Sequence, residues 1–198
     1  CFFNHLVRFV EATNLPVEEW VLNDKSPKMA ASVNKTVAPL ARVALVSDTE
    51  MNQSVTVLEN AKAAANQPAS QGLGLGIANS QRAFLRVPAL GQAWREFGFA
   101  NRQNWSIERN IQLQISFAVS MVNGCRYCTL HQVKGLRGLG VDPAKLLAMK
   151  KDDSALTPRE LAAVEFARKL TKEPTSVTDA DFEKVKKEFG EQGAVEVV

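Results

Sequence analysis

The stretch Ile115 to Arg137 reads ISFAVSMVNGCRYCTLHQVKGLR, and its two halves decide the fold. Ile111, Ile115, Ala118, Val119 and Val122 recur at the period of a helix with one buried face. Asn123-Gly124 then punctuates the chain. A second helix begins at Cys125 and runs through His131 to about Leu139, where Gly140 suits a left-handed C-cap. Two of the chain's three cysteines, and one of its two histidines, therefore fall in the opening turns of one helix.

Working outward, the same signals repeat. Asp142-Pro143 and Thr157-Pro158-Arg159-Glu160 each pair an N-cap residue with proline at the first helical position. The helix after Thr157 carries Leu161, Val164, Phe166, Ala167 and Leu170, and Thr178-Asp179-Ala180-Asp181 opens another through Phe182, Val185 and Phe189. Upstream, Phe84, Leu85, Leu90, Trp94 and Phe97 describe a short helix and a longer one divided at Pro88. Ser47-Asp48-Thr49-Glu50 reads as a helix cap continued loosely by Val55, Leu58 and Ala61/Lys62. No convincing strand appears, so the predicted class is all-α.

Residues 1–22 read as an amphipathic helix through Phe2, Phe3, Leu6, Phe9 and Val10, with a short continuation around Trp20; residues 23–40 read as a linker. Both ends of the chain look like helix interiors, and the expectation is a piece of a longer parent. Gly72, Gly74 and Gly76 invite a nucleotide-loop interpretation, but what precedes them is helical and Ala/Lys-rich rather than a strand. A flexible connector fits that composition better.

Composition narrows the function classes. At 198 residues with 45% hydrophobic and 23% charged side chains, the chain is long enough for a real core. A net charge of +3 with no Lys/Arg run gives no argument for nucleic acid. No segment reaches the ~18 uninterrupted apolar residues of a membrane span, and no basic start precedes the apolar N-terminal run as in a signal peptide. Three cysteines cannot staple a secreted scaffold, which points to a reducing intracellular compartment, the cytoplasm or an organelle matrix.

Cys125, Cys128 and His131 carry the candidate chemistry. A thiol in the first helical turn meets unpaired backbone N–H groups and the positive end of the helix dipole, both favouring thiolate, and Arg126 adds positive charge. Cys128 lies one turn on, at a spacing that allows a disulfide to form and break. His131, a further turn along, is placed to move a proton. The pattern suits an exposed thiol that resolves and an inner thiol held near a base. A metal site competes, but only Cys1 and His5 are left as further ligands. So does a bland arrangement of core thiols beside a satisfied histidine. Redox chemistry is favoured, and neither a metal nor another cofactor is expected.

NGCRYCTLH, preceded by ISFAVSMV, resembles the core motif of the alkylhydroperoxidase D-like and carboxymuconolactone decarboxylase family. ARVALVSD is similar to the family's start and NSQRAFLRVPALGQAWREFG to its first helical pair. SALTPRELAAVEFARKLTKEPTSVTDADFEKVKKEF is similar to the helices after the motif. The resemblance covers roughly residues 41–198. It implies an oligomer-forming helical bundle, homo-oligomeric, acting on a hydroperoxide or disulfide substrate with a thiol protein as reductant. Cys128 would be the peroxidatic thiol, Cys125 the resolving one, and His131 part of the proton relay. Residues 1–22 would then resemble the closing helix of a preceding repeat or of a neighbour.

Two departures stand out. The histidine follows the second cysteine by three residues instead of four, and Leu113, between Gln112 and Gln114, occupies the place of the family's relay glutamate; Glu108 lies more than a turn too early. The expected function is a thiol-dependent oxidoreductase. The alternatives are a catalytically weakened assembly subunit and a lactone decarboxylase-type enzyme.

Overall fold

The computed structural model describes residues 43–47, 49–51, 53, 79–103 and 105–198. The expected helix over 1–22, the linker over 23–40, the run from Val55 to Lys62 and Gly72, Gly74 and Gly76 lie outside the described residues. The helices are α1 (Asn79–Phe84), α2 (Pro88–Gln103), α3 (Arg109–Val122), α4 (Arg126–Gly138), α5 (Pro143–Lys151), α6 (Pro158–Lys172) and α7 (Asp179–Val197). A 3₁₀ turn, Pro174–Ser176, joins the last two, and no strand occurs among the described residues.

Local chemistry sets each boundary. Thr157 caps α6 through the Glu160 N–H while the Glu160 carboxylate accepts from the Thr157 N–H, a reciprocal capping box. Thr178 and Asp181 repeat the device at α7. Asp142 accepts from the Ala144 N–H at 2.8 Å, with Pro143 at the first helical position of α5. Ser47 and Glu50 exchange the same pair of bonds, at 2.7 and 3.2 Å, where residues 49–51 turn helical. Gly140 follows α4 with φ +76°, the left-handed conformation expected of it. α7 runs further than its sequence pattern suggested, but Gly190 breaks it with φ +71° and ψ −177°. Beyond the break, Ala194 and Val197 return to the core while Val195 and Val198 face outward.

α3 is the axis of the packing. On one side Leu113, Phe117 and Ala118 meet Leu130, Val133 and Leu136 of α4, Leu146 and Met149 of α5, and Val164 of α6. On the other, Ile111 and Ile115, with Ile107 just before the helix, meet Ala163, Phe166 and Ala167 of α6 and Val185, Ala194 and Val197 of α7. Between these clusters Gln114, fully buried, donates to Glu160 at 2.8 Å, and Lys145 reaches the same carboxylate at 2.7 Å. Burial by itself would raise the Glu160 pKa. Hydrogen bonds from Gln114, Lys145 and Thr157 outweigh it and hold the group at about 2.

Replacing Phe117 by alanine removes a side chain with no exposure from the middle of the larger cluster. The expected loss of unfolding free energy is ~3–5 kcal/mol, read from urea denaturation midpoints at unchanged slope. A loss below ~1 kcal/mol would contradict the packing described.

Candidate functional site

The corner between α3 and α4 is built tightly. Asn123 ends α3 with its N–H on the Val119 carbonyl, and Gly124 turns the chain at φ +60°, a conformation that favours glycine. The Cys125 N–H then returns to the Ser120 carbonyl at 2.9 Å. Its own carbonyl accepts from the Thr129 N–H at 2.9 Å and the Thr129 hydroxyl at 3.0 Å. Cys125 is the N-cap of α4, and its sulfur accepts the Cys128 N–H at 3.3 Å. Cys125 and Cys128 are joined in a disulfide, with Cα atoms 5.4 Å apart.

The order of burial differs from the pattern expected of the sequence. Cys125 is the inner sulfur, 1% exposed, and Cys128 is the partly exposed one. The cause is the corner itself: hydrogen bonds to both the preceding and following turns hold Cys125 between the two helices, whereas Cys128 stands one turn further along α4.

His131 lies one turn beyond Cys128 and is largely buried. Burial, and then the neighbouring Lys134 charge, lower its pKa from 6.5 to about 4. The imidazole is therefore neutral at pH 7, a hydrogen-bonding group rather than a standing cation beside a thiolate.

At the position where the resemblance called for a relay glutamate, Leu113 is part of the core. A Cβ added to Gly135 of α4 would lie 2.9 Å from Leu113 Cδ1, so the leucine fills the close approach of the two helices. Gln112 is spent on the Ile107 carbonyl and the Arg109 guanidinium, at 2.7 and 2.8 Å. Gln114 donates through Nε2 to Glu160 at 2.8 Å while its buried Oε1 has no hydrogen-bond partner, and Glu108 pairs with Arg159 at 3.2 Å. Residues 109–141, which span both helices of the corner, contain Arg109, Arg126, Lys134 and Arg137 but no aspartate or glutamate.

Among the described residues no group of three or more histidine, cysteine, aspartate or glutamate side chains is placed to hold a metal ion, and no helix is long and apolar enough to cross a membrane. Cys1 and His5, the other ligands the sequence offers, lie outside the described residues. Sequence reasoning passed over the Gln114–Glu160–Lys145 cluster. Its one visible signal was a glutamine at the centre of an apolar helical run.

An all-α bundle with a cysteine pair opening a central helix defines a class, and comparison names it. Residues 88–169 match the model of the carboxymuconolactone decarboxylase family, which is what that part of the chain is similar to. Among solved structures, the debrominase Bmp8 has the same fold. Its apo form superposes with a TM-score of 0.61 at 18% identity, covering 79% of this chain and 80% of that chain. A cysteine-to-alanine variant of Bmp8 in complex with 2,3,4-tribromopyrrole gives a TM-score of 0.62 at 18% identity and the same coverage. No curated protein matches the chain.

The depressed His131 pKa predicts an acid-labile fold. The unfolded chain binds this proton near pH 6.5 and the folded chain only near pH 4. The stability from a neutral His131 is therefore complete above pH 6.5 and is lost as pH falls towards 4, by up to about 3 kcal/mol. His131→Gln should flatten the stability profile in that window. Glu160 acts in a separate, lower one: its contribution is present above pH 4.5 and is lost as pH falls towards 2. Urea denaturation at stepped pH separates the two, and an unchanged profile in the His131→Gln variant would refute the assignment.

Proposed function

We propose that this chain is a thiol-dependent oxidoreductase that cycles the Cys125–Cys128 pair between dithiol and disulfide, reducing a hydroperoxide or a disulfide. The observation that carries the proposal is the joined pair at the N-terminus of α4, where a reduced sulfur is stabilised by helix N–H groups and the dipole. With a hydroperoxide, the Cys128 thiolate attacks the terminal oxygen. The O–O bond breaks, the alkoxide takes a proton, and Cys128 becomes a sulfenic acid. The Cys125 thiolate then attacks the Cys128 sulfur, forming the disulfide and releasing hydroxide, which is protonated to water. His131 is the group we assign to proton movement at Cys128, as a neutral imidazole.

The absent carboxylate sets the expected balance between activities. No acid in either helix of the corner assists proton transfer, and Leu113 closes the place where one was expected. Thiol–disulfide exchange needs less of that assistance than O–O cleavage, because a thiolate of matched basicity is both nucleophile and leaving group. A partner protein's disulfide is therefore the better substrate, and a thiol protein in a reducing compartment the natural source of electrons.

The likeness to Bmp8 adds one compound to test. Exchanging a C–Br bond for C–H is a two-electron reduction, which a dithiol can supply, and Bmp8 is crystallised with a brominated pyrrole.

Thiol titration of the reduced protein, before and after a stoichiometric mild oxidant, tests the proposal. Wild type should lose two thiols, while Cys125→Ser and Cys128→Ser lose neither as an intramolecular pair. Turnover of hydroperoxide, small disulfide and tribromopyrrole should disappear in Cys128→Ser. Thiols that stay free in wild type would sink the proposal and leave the chain a helical building block of a larger assembly.

A further inference from the structure

Away from the cysteine pair, α2 presents an apolar face that the redox chemistry does not use. Val87, just before the helix, and Leu90, Trp94 and Phe97 along it are 57%, 49%, 43% and 63% exposed. They follow one another at intervals of three, four and three residues, which sets them in one line along the helix. The rings of Phe84 and Trp94 stack with centroids 5.2 Å apart, and Phe97 lies 6.2 Å from Trp94, so the aromatic surface is continuous. We propose that this face is the docking surface for the N-terminal segment of the same chain, residues 1–22, laid along α2 as a helix.

Three observations select that occupant. The first is pattern. Phe2 or Phe3, Leu6, and Phe9 or Val10 recur at the same three- and four-residue spacing as the line on α2. Helices with matching apolar lines pack side by side at a shallow angle, each side chain seated between those of the other.

The second is attachment. Residues 44–46 are held at the near end of the face. Arg86 donates to the Ala44 and Leu45 carbonyls at 2.6 and 2.9 Å, and Arg82 donates to the Val46 carbonyl at 3.0 Å. The chain is thereby fixed beside Arg86, one residue from Val87. The stretch between residue 22 and this anchor, about 20 residues, spans roughly 25 Å as a flexible chain, and the face is only about 15 Å long. The segment reaches its surface easily.

The third is area. Four side chains about half exposed offer on the order of 400 Å². Two copies of the face meeting each other would bury about twice that, short of the ~1,200 Å² at which stable pairs of proteins begin. A tethered segment needs far less, because its effective concentration is about millimolar. Docking would also add apolar packing to the α1–α2 end of the molecule, where Val46, Met51 and Leu85 form a small buried cluster.

Hydrogen exchange of the full chain, read by peptide mass, tests the proposal. Backbone amides of residues 2–12 and of residues 87–98 should both be protected. Leu90→Asp combined with Phe97→Asp should speed exchange in residues 2–12 by about tenfold or more, and Leu6→Asp combined with Phe9→Asp should do the same in residues 87–98. Reciprocity is the decisive readout, because a merely local disturbance of α2 moves its own amides and not those near the N-terminus. Exchange in residues 2–12 that ignores the α2 substitutions, or that matches an unstructured chain, overturns the proposal and leaves the face to another protein. Reciprocal protection that fades on dilution also overturns it, and assigns the segment to the α2 face of a second copy. The Leu6 and Phe9 variant carries the test where the α2 variant fails to fold.

Discussion

The middle of α3 is buried on more than one side, and the rest of the structure answers to that. Ile111 to Ile115, Phe117, Ala118 and Ser120 are all buried. A helix buried along most of its middle cannot settle against one neighbour; it needs partners on both sides, which here are α4 and α5 on one flank and α6 and α7 on the other. Its buried polar residues also need partners in place, because an unpaired buried group costs roughly 1–3 kcal/mol. Among its glutamine and Ser120 side-chain groups named here, all but the Oε1 of Gln114 find one. Gln112 turns back to the Ile107 carbonyl and Ser120 to the Ser116 carbonyl, at 2.7 and 2.6 Å. Gln114 has no such local partner and draws Glu160 and Lys145 into the interior. The capping-box glutamate of α6 thus has a second duty: it pins the start of α6, and through Lys145 also α5, to the middle of α3. The C-terminal segment closes the other end. Glu196 accepts the Ser106 and Ile107 N–H groups, at 2.9 and 3.0 Å, just before α3 begins.

Much of this was legible in the chain. Caps at Thr157, Thr178 and Asp142, the proline at 88 and the turn at Gly140 are local decisions, made by groups within three or four residues of each other. They landed where the residue types said they would. The cysteine pair and the turn before it were legible for the same reason. What could not be read were the consequences of long-range packing. Which sulfur is inner depends on how deeply the α3–α4 corner is sunk, and the family resemblance implied the opposite order, with Cys128 inner. The Gln114–Glu160 bond joins residues 46 apart, and no local rule pairs them. Likewise, His131 was identified as a proton-moving group, but its displacement to a pKa of about 4 comes from burial by the assembled fold.

The corner shows how one close approach limits the chemistry available. α3 and α4 meet where Leu113 lies against Gly135, so closely that a Cβ on Gly135 would come within 2.9 Å of Leu113 Cδ1. An acid there would need a partner, yet its surroundings are Phe117, Leu130, Val133 and Leu136. The nearby polar residues are already committed, Gln112 to the helix start and Gln114 to Glu160. An acid at position 113 would therefore be buried among apolar side chains and would carry their desolvation cost. A site of this kind keeps what depends on backbone geometry and gives up what depends on a side-chain base. The N-cap N–H groups, the dipole and the disulfide spacing all derive from the turn at Asn123-Gly124. They survive whatever residue stands at position 113. Proton transfer assisted by a buried acid does not. The sulfur-to-sulfur exchange proposed for the pair rests on those backbone features, because stabilising a departing thiolate is most of its task.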